Sequence, residues 1–243
     1  MKTLVIIPSR MSATRLPGKP LLKINGLSII SHVSKKAEEA NIGDVIVATE
    51  DQEIIDDVKR NGFNAILTSN KHKTGTDRIY EALKKSNIND VDFIMNLQGD
   101  EPAIDTLDIV SLNDKMLQNS SDIGTLAAPI QDNKNLKNEN IVKVITENTL
   151  EENNFPKGIS FLRKSEQIDN IYHHIGVYCY SNNSLEKFVQ LSQSKNEIEN
   201  RLEQLRALDN NIDINVSLAK SSPIGVDTEE DYLALKKIME YKN

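Results

Sequence analysis

A loop rich in cations and prolines follows the first apolar run of the chain. It spans residues 8–21 and contains Arg10, Arg15, Lys19 and a single glycine. Arg and Lys side chains, together with free backbone N–H groups, can surround a triphosphate. The loop matches neither the P-loop pattern Gly-x-x-x-x-Gly-Lys-Ser/Thr nor the dinucleotide pattern Gly-x-Gly-x-x-Gly. It therefore predicts a phosphate site of a different type, and the structural alternative is a solvated basic loop.

Two carboxylates follow predicted strands elsewhere in the chain. Asp100 ends the segment at residues 96–100, and Asp227 follows the strand predicted before the last helix. Mg²⁺ prefers oxygen ligands and usually takes one or two carboxylates plus phosphates and water. A carboxylate pair that faces the cation loop is therefore what a metal–triphosphate site needs. The structural alternative is that Asp100 closes a turn and that Asp227 or Thr228 caps the last helix.

The segment at residues 73–78 directly precedes a predicted helix. Thr76 is a natural N-cap at that position. The same loop could instead present backbone groups to a base or a sugar. His72, beside the loop, is expected to be exposed and not catalytic.

Adjacent histidines, His173 and His174, stand at the start of a predicted strand at residues 174–180. Neighbouring strand positions point to opposite faces, so these two rings cannot chelate one metal together. The alternation places His174, Gly176 and Tyr178 on one face. One histidine there could line a pocket for an acid.

A helix predicted at residues 197–208 has two distinct faces. Glu199, Glu203 and Arg206 lie on one face at i, i+4 and i+7 spacing, which also suits a surface ladder of ion pairs. The spacing of the apolar residues predicts that the other face is buried, through Ile198, Leu202, Leu205 and Leu208.

The composition limits the class of protein. The chain has 243 residues, and 29 Lys and Arg against 36 Asp and Glu give a net charge of −7. This balance argues against a surface that coats a nucleic acid. The apolar runs are too short for a membrane span of about 20 residues. The single cysteine, Cys179, allows no internal disulfide, and we expect a cytoplasmic protein.

The elements that must position these residues alternate between strand and helix in the first half of the chain. Asp51 and Gly62 suit the N-cap and C′ positions of one helix. Strands are predicted at residues 4–8, 45–49, 65–68, 91–97, 124–130, 141–146, 174–180 and 212–219. Helices are predicted at residues 28–41, 51–61, 76–86, 105–119, 182–193, 197–208 and 228–241. The alternation predicts an α/β fold with a doubly wound, mostly parallel sheet.

Taken in order, these segments resemble the cytidylyltransferases that activate acidic sugars, in particular the 3-deoxy-manno-octulosonate (Kdo) cytidylyltransferase family. Matching motifs extend over nearly the whole chain, at residues 7–21, 47–49, 75–78, 98–102, 174–178, 202–206 and 225–228. The resemblance implies a Rossmann-like sheet of the nucleotidyltransferase type. We expect a single domain over residues 1–243, with a smaller inserted subdomain at about residues 120–215 for sugar binding and dimerisation.

The resemblance also implies a role for each matching residue. Arg10 and Lys19 would hold the triphosphate and, with Asp100 and Asp227, form the catalytic set; the two aspartates would bind Mg²⁺. The nucleotide would be framed by Pro8, Ser9, Arg10, Arg15, Lys19, Thr74, Gly75, Arg78 and Gln98. The sugar acid would be framed by Gln98, Arg163, His174, Gly176, Tyr178, Glu203 and Gln204.

The implied reaction is CTP + Kdo → CMP-Kdo + diphosphate, in lipopolysaccharide synthesis, by a homodimer. One segment, at residues 158–164, departs from the family: Phe161 and Arg163 can be aligned, but the Ser that the family usually carries between them and the Ile-Pro that usually follows are missing. Kdo, an amino-substituted Kdo and a sialic-acid-type sugar therefore all stay open as substrates. The alternatives from other classes are a non-catalytic nucleotide-sugar binding protein and a nucleotidyltransferase that acts on a sugar phosphate.

Overall fold

The computed structural model describes residues 1–12, 15–220, 222–223 and 225–241. Two residues of the predicted phosphate loop, at positions 13 and 14, lie outside the described residues.

The chain divides into two compact units. Residues 2–109 and 223–243 make up the first unit, and residues 110–222 make up the second unit together with Met1. The inserted subdomain predicted at about residues 120–215 stays a prediction.

The first unit is built on a parallel sheet of four strands. The elements of this part of the chain are β1 (Thr3–Ser9), β2 (Lys23–Ile24), β3 (Leu27–Ser28), α1 (Ile29–Glu39), β4 (Gly43–Thr49), α2 (Gln52–Arg60), β5 (Ala65–Leu67), α3 (Gly75–Lys85) and β6 (Phe93–Asn96). The strand order is β6-β1-β4-β5, and all three pairings are parallel. The predicted α/β fold with a mostly parallel sheet is confirmed.

The centre of this sheet is apolar, as the sequence predicted for β1. Leu4, Val5, Ile6 and Ile7 are fully buried. Helices α1 and α2 pack against β4, and α3 packs against β1. The strand order reverses beside β1, because β4 and β5 lie on one side of it and β6 on the other. Open α/β sheets bind ligands outside the carboxyl ends of the strands at such a switch point.

Helix α4 (Thr106–Asn119) leads into the second unit, whose strands are mainly antiparallel. Here β7 pairs in parallel with β11, whereas β7–β10, β10–β8 and β8–β9 are antiparallel. The sequence did not predict β9, which forms in the segment that departs from the family. The elements are β7 (Ile123–Pro129), β8 (Lys143–Thr146), β9 (Gly158–Leu162), β10 (Ile171–Ser181), α5 (Asn182–Gln190), α6 (Lys195–Asn200), α7 (Leu205–Asp209) and β11 (Ile214–Leu218).

The prediction of one helix over residues 197–208 is wrong. The chain forms α6 and α7 instead, and Arg201 between them has φ of 54°, in the left-handed region that ends a helix. This break rotates the two halves relative to one continuous helix. As a result Ile198, predicted to be buried, is 59% exposed, whereas Leu202 and Leu205 are buried as predicted.

Helix α8 (Glu229–Tyr241) closes the chain and belongs to the first unit. Its buried Leu235 joins a small apolar cluster with Ile24, Ile29 and Val226. Among the described residues, none of these helices has both the length and the apolar character that a membrane crossing requires.

Candidate active site

A cavity of about 390 Å³ lies in the first unit, at the carboxyl edge of its sheet. Three stretches that the sequence singled out form its wall: the loop after β1, the segment before α3 and the segment after β6. All predicted nucleotide-binding residues line it. The lining comprises Pro8, Ser9, Arg10, Arg15, Leu16, Lys19, Pro20, His72, Lys73, Thr74, Gly75, Arg78, Gln98, Gly99, Asp100 and Asp227.

The two predicted metal-binding carboxylates converge on one cation. Lys19 Nζ lies 2.7 Å from Asp100 Oδ2 and 3.3 Å from Asp227 Oδ1. Arg15 Nη2 lies 2.8 Å from the other oxygen of Asp227. The Lys19 ammonium thus occupies the kind of position that a bridging metal ion would take between two carboxylates.

The backbone brings the two carboxylates together. The Val226 N–H donates to the Asp100 carbonyl oxygen at 2.9 Å, which joins the segment after β6 to the segment before α8. The same region is tight around Gly99. A Cβ at this position would lie 2.9 Å from the Pro8 carbonyl oxygen, so only glycine fits without a shift of the backbone.

The side chain of Asp227 does not cap α8. Thr228 Oγ1 accepts from the Asp231 N–H at 3.2 Å, and Asp231 Oδ2 accepts from the Thr228 N–H at 2.9 Å. This reciprocal pair is a capping box with Asp in place of Glu or Gln. Of the two caps that the sequence offered as the structural alternative, Thr228 is the one that forms. The Asp227 carboxylate is left to its two cationic partners.

Asp51 holds the cation loop in place, a role that sequence reasoning missed. The predicted N-cap position is confirmed, since α2 begins at the next residue, but the Asp51 side chain makes no cap bond. Its Oδ2 accepts instead from the Met11 N–H at 2.7 Å. The loop closes on itself where the Gly18 N–H donates to the Met11 carbonyl at 3.1 Å. Gly18 has φ of 73°, which favours glycine.

A third carboxyl group, Glu101, adjoins the pair and was also missed, although it directly follows Asp100 in sequence. Its Oε2 is inaccessible to solvent and, within the described part of the chain, has no hydrogen-bond partner. Burial, and then the charges of Asp100 and Asp227, raise the pKa of Glu101 to about 8. A carboxyl group with this pKa is mostly protonated near neutral pH, so Asp100 and Asp227 carry the negative charge here, and Lys19 and Arg15 face them.

The residues present fit a divalent cation. Among the described residues no group of three or more His, Cys, Asp or Glu side chains has the arrangement of a complete metal site. Two converging carboxylates, with phosphates and water as the other ligands, are the usual protein contribution to a Mg²⁺ site. Asp100 and Asp227 are the residues that could hold such an ion.

The segment before α3 is fixed by bonds on both sides. Thr74 caps the helix, because its Oγ1 accepts from the Asp77 N–H at 3.2 Å. The prediction of Thr76 as the cap is therefore wrong by two residues. Arg78 is buried and donates to Glu50, and also to Thr68 Oγ1 at 2.6 Å. Arg78 thus lines the cavity with its guanidinium fixed by Glu50 and Thr68.

His72 is half-buried in the cavity wall, whereas the sequence reading placed it in solvent. The exposed fraction of its side chain is 19%, and its Nε2 contacts Glu81. Glu81 also accepts from the Ser69 N–H at 2.9 Å and from Lys85 Nζ at 2.6 Å. Burial raises the pKa of Glu81, but the bonds from Lys85, the Ser69 N–H and His72 outweigh it and lower that pKa to about 2.

In the second unit, His174 and Tyr178 lie together as predicted. Their ring centroids are 5.4 Å apart, and Phe161 stands edge-on to His174 at 5.1 Å. His174 Nε2 is 3.0 Å from Thr125 Oγ1. Burial, and then His173, lower the pKa of His174 to about 3, so the ring is neutral at physiological pH. It can exchange hydrogen bonds with a sugar acid but cannot supply a positive charge.

Arg163 is engaged by the backbone of its own unit. Its guanidinium donates to the carbonyl oxygens of Asn200 at 2.8 Å, Glu139 at 3.0 Å and Arg201 at 2.9 Å. The Arg163 carbonyl in turn accepts from the buried Lys143. In this structure Arg163 ties three segments of the second unit together, and its role toward a sugar stays a prediction.

Glu203 and Gln204 stand in the turn between α6 and α7. Arg206 forms a bidentate pair with Glu197, at 2.9 and 2.6 Å, and this pair is buried. Glu203 Oε1 is 3.7 Å from Arg206. Of the suggested ladder, the Glu203–Arg206 pair is thus present, but the closer partner of Arg206 is Glu197, across the break in the helix.

The site combines three features that a nucleoside-triphosphate site needs. They are an open parallel sheet, a loop with three cations at its carboxyl edge, and two carboxylates that converge on one point. These parts define an α/β nucleotidyltransferase. The model of the cytidylyltransferase family matches residues 4–214. The chain belongs to the cytidylyltransferase family.

Similar proteins cover the whole chain. The 3-deoxy-manno-octulosonate cytidylyltransferase of Bartonella bacilliformis is 39% identical over 242 residues, which cover 98% of this chain and 99% of that protein. The protein of the same name from Afipia carboxidovorans is 41% identical and covers 98% and 96%, respectively. A solved structure of CMP:2-keto-3-deoxy-manno-octonic acid synthetase complexed with CTP is 31% identical, with a TM-score of 0.92 over 100% of both chains.

Proposed function

We propose that this enzyme transfers the cytidylyl group of CTP to Kdo and releases diphosphate. The relatives at about 40% identity carry that activity in their name, and the solved structure with a TM-score of 0.92 holds CTP. One observation carries the proposal to this chain: Lys19, Asp100 and Asp227 meet within 3.3 Å at the wall of a cavity large enough for a nucleotide.

The proposed reaction is a direct displacement. The anomeric hydroxyl oxygen of the sugar attacks the α-phosphorus in line, and the bond to the diphosphate breaks. No protein nucleophile is needed, so catalysis rests on positioning and on neutralisation of charge. Arg10 and Lys19 would hold the triphosphate, and Asp100 and Asp227 would hold Mg²⁺. When bound, Mg²⁺ supplies positive charge at the triphosphate.

The ion pairs of the structure support a change of partner at Lys19. The Lys19 ammonium pairs with both Asp100 and Asp227. With Mg²⁺ held by Asp100 and Asp227, the Lys19 ammonium would be free to bind the phosphates. Arg15, whose side chain is 60% exposed, can turn from Asp227 in the same way.

The second unit is proposed to bind the sugar acid through His174, Gly176, Tyr178, Glu203 and Gln204. His174 would act as a neutral hydrogen-bonding group, since its pKa of about 3 excludes a cation at neutral pH. The proposed set also includes Gln98, which lines the nucleotide cavity, and Arg163. A cytoplasmic location and a homodimer remain part of this proposal.

The unusual sequence at residues 158–164 bears on which sugar the enzyme uses. There Phe161 of β9 packs against His174, so a change in this strand reaches a proposed sugar-binding ring. An amino-substituted Kdo is therefore the second candidate substrate.

The experiment is a diphosphate-release assay over four nucleoside triphosphates and three sugar acids, with Mg²⁺ present. CTP with Kdo is expected to give the highest kcat/KM. Asp227→Asn serves as the matched low-activity control, because it removes one charge and keeps the size and shape of the side chain. Turnover with a sugar phosphate and none with any sugar acid would overturn the proposal.

A further inference from the structure

His72 is held in one orientation by a carboxylate that stays charged. Its Nε2 faces Glu81, which Lys85 and the Ser69 N–H also hold. Among the residues that the structure describes, Nδ1 of His72 has no partner. The same residue lines the nucleotide cavity. A fixed ring with one unused polar atom at a cavity wall is a group ready to bind a ligand.

The order of the strands indicates which part of a nucleotide reaches His72. Asp100 follows β6 and His72 follows β5, at opposite ends of the order β6-β1-β4-β5. Three strand spacings correspond to about 14 Å, comparable with the length of a nucleoside triphosphate. With the triphosphate at Lys19 and Asp100, the base must lie toward the β5 side of the cavity.

The chemistry of the ring then selects the base. In its uncharged form, an imidazole that donates Nε2–H to a carboxylate presents Nδ1 as a hydrogen-bond acceptor. Cytosine carries an amino group, a donor, at its 4 position, whereas uracil carries a carbonyl oxygen, an acceptor. We propose that His72 is a specificity residue whose Nδ1 accepts a hydrogen bond from the 4-amino group of CTP. This inference rests on the proposed function for the identity of the nucleotide.

Two substitutions of His72 test the roles of its two ring nitrogens separately. In His72→Asn the side-chain Oδ1 can take the place of Nδ1, and the contact with Glu81 is lost. In His72→Gln the side-chain amide can take the place of Nε2, and the acceptor at Nδ1 is lost. The two variants thus remove one ring edge each with little change in polarity.

The measurement is calorimetric binding of three triphosphates to the wild type and both variants in the presence of Mg²⁺. The probes are CTP, UTP and the pyrimidin-2-one ribonucleoside triphosphate, which is CTP without its 4-amino group. Loss of one buried hydrogen-bond partner is worth about tenfold or more in affinity. The wild type is therefore expected to prefer CTP to both other probes by at least about tenfold.

In His72→Gln this preference should fall by about tenfold, and His72→Asn should retain most of it. Combining the change in the protein with the change in the ligand gives a thermodynamic cycle, which measures the interaction free energy between Nδ1 and the 4-amino group. An unchanged preference in folded His72→Gln would overturn the inference. If His72→Gln does not fold, equal affinity of the wild type for CTP and the 4-amino-free probe would do the same. These outcomes are distinct from a failure to form CMP-Kdo, which would overturn the proposed function alone.

Discussion

Replacement of Asp227 by Asn should leave the fold almost unchanged. The Asp227 carboxylate contacts Arg15 at 2.8 Å and Lys19 at 3.3 Å, and it is 47% exposed. Exposed ion pairs of this kind contribute about 0–1 kcal/mol each. The cap of α8 is formed by Thr228 and Asp231 and does not involve the Asp227 side chain. With two such pairs lost, we expect the free energy of unfolding of Asp227→Asn to fall by about 2 kcal/mol at most.

The same change should have a large effect on metal-dependent turnover. Two unit charges 4 Å apart interact by about 4 kcal/mol at an effective dielectric constant near 20, and thus by about 8 kcal/mol when one partner is divalent. Because Asp227 is half-exposed, we halve this figure for screening, which leaves about 4 kcal/mol, or roughly 10²–10³-fold in metal affinity. Turnover should fall by a similar factor at limiting Mg²⁺ and recover in part when Mg²⁺ is raised.

The assay is diphosphate release from CTP and Kdo as a function of Mg²⁺ concentration, with urea unfolding of the same preparations. The matched control is Asp231→Ala, which removes the Asp231 half of the capping box, keeps the bond to Thr228 Oγ1, and should cost about 0.5–1.5 kcal/mol of stability. Its activity per folded molecule should be close to that of the wild type. Were Asp227→Asn to lose stability as Asp231→Ala does and to keep its activity, Asp227 would be a structural residue and the two-carboxylate metal site would be refuted.

Three further predictions concern single side chains in the two units. Lys19→Ala should lower kcat by about 10²-fold or more, since one charged donor to a developing phosphate charge typically stabilises the transition state by about 3 kcal/mol. A rate near that of the wild type would show that the cation loop is not part of the active site. Glu203→Ala should raise the KM for the sugar acid and leave CTP affinity unchanged by calorimetry, and a loss of CTP affinity would contradict the division into a nucleotide unit and a sugar unit. The lowered pKa of His174, about 3 in the fold, means that the unfolded chain binds a proton first as pH falls. Its contribution to stability is therefore complete above pH about 6.5 and is lost below it, by up to about 1.4 kcal/mol per pH unit. Unfolding free energies between pH 7 and pH 4 should then decline less steeply in His174→Gln, and equal slopes would show that the ring titrates normally.

The sequence predicted the elements of the first unit well, because buried parallel strands are short continuous apolar runs. Strand β1 was predicted at residues 4–8 and extends over Thr3–Ser9. Gly62 was predicted at a helix C′ position, and its φ of 88° confirms this. All predicted nucleotide residues line one cavity because the carboxyl ends of neighbouring parallel strands meet at one edge.

Sequence reasoning missed features in which a polar side chain has several available partners and the fold determines which of them it bonds to. Asp51 could have capped α2 but bonds to the backbone of the cation loop instead. Arg206 could have paired along one helix, but the left-handed conformation of Arg201 directs it to Glu197. Arg163 is a candidate for a sugar carboxylate by its type, yet its guanidinium is engaged by three carbonyls. Such choices are set by tertiary contacts and have no local sequence signal.

The central claim is that the hydroxyl oxygen of Kdo displaces diphosphate from the α-phosphorus of CTP. The most direct test is a single-turnover reaction of the enzyme with CTP, Mg²⁺ and Kdo labelled with heavy oxygen at the anomeric hydroxyl, followed by mass spectrometry of both products. Direct displacement predicts that the label bridges sugar and phosphorus in CMP-Kdo and is missing from diphosphate. Formation of diphosphate without labelled CMP-Kdo would contradict the account.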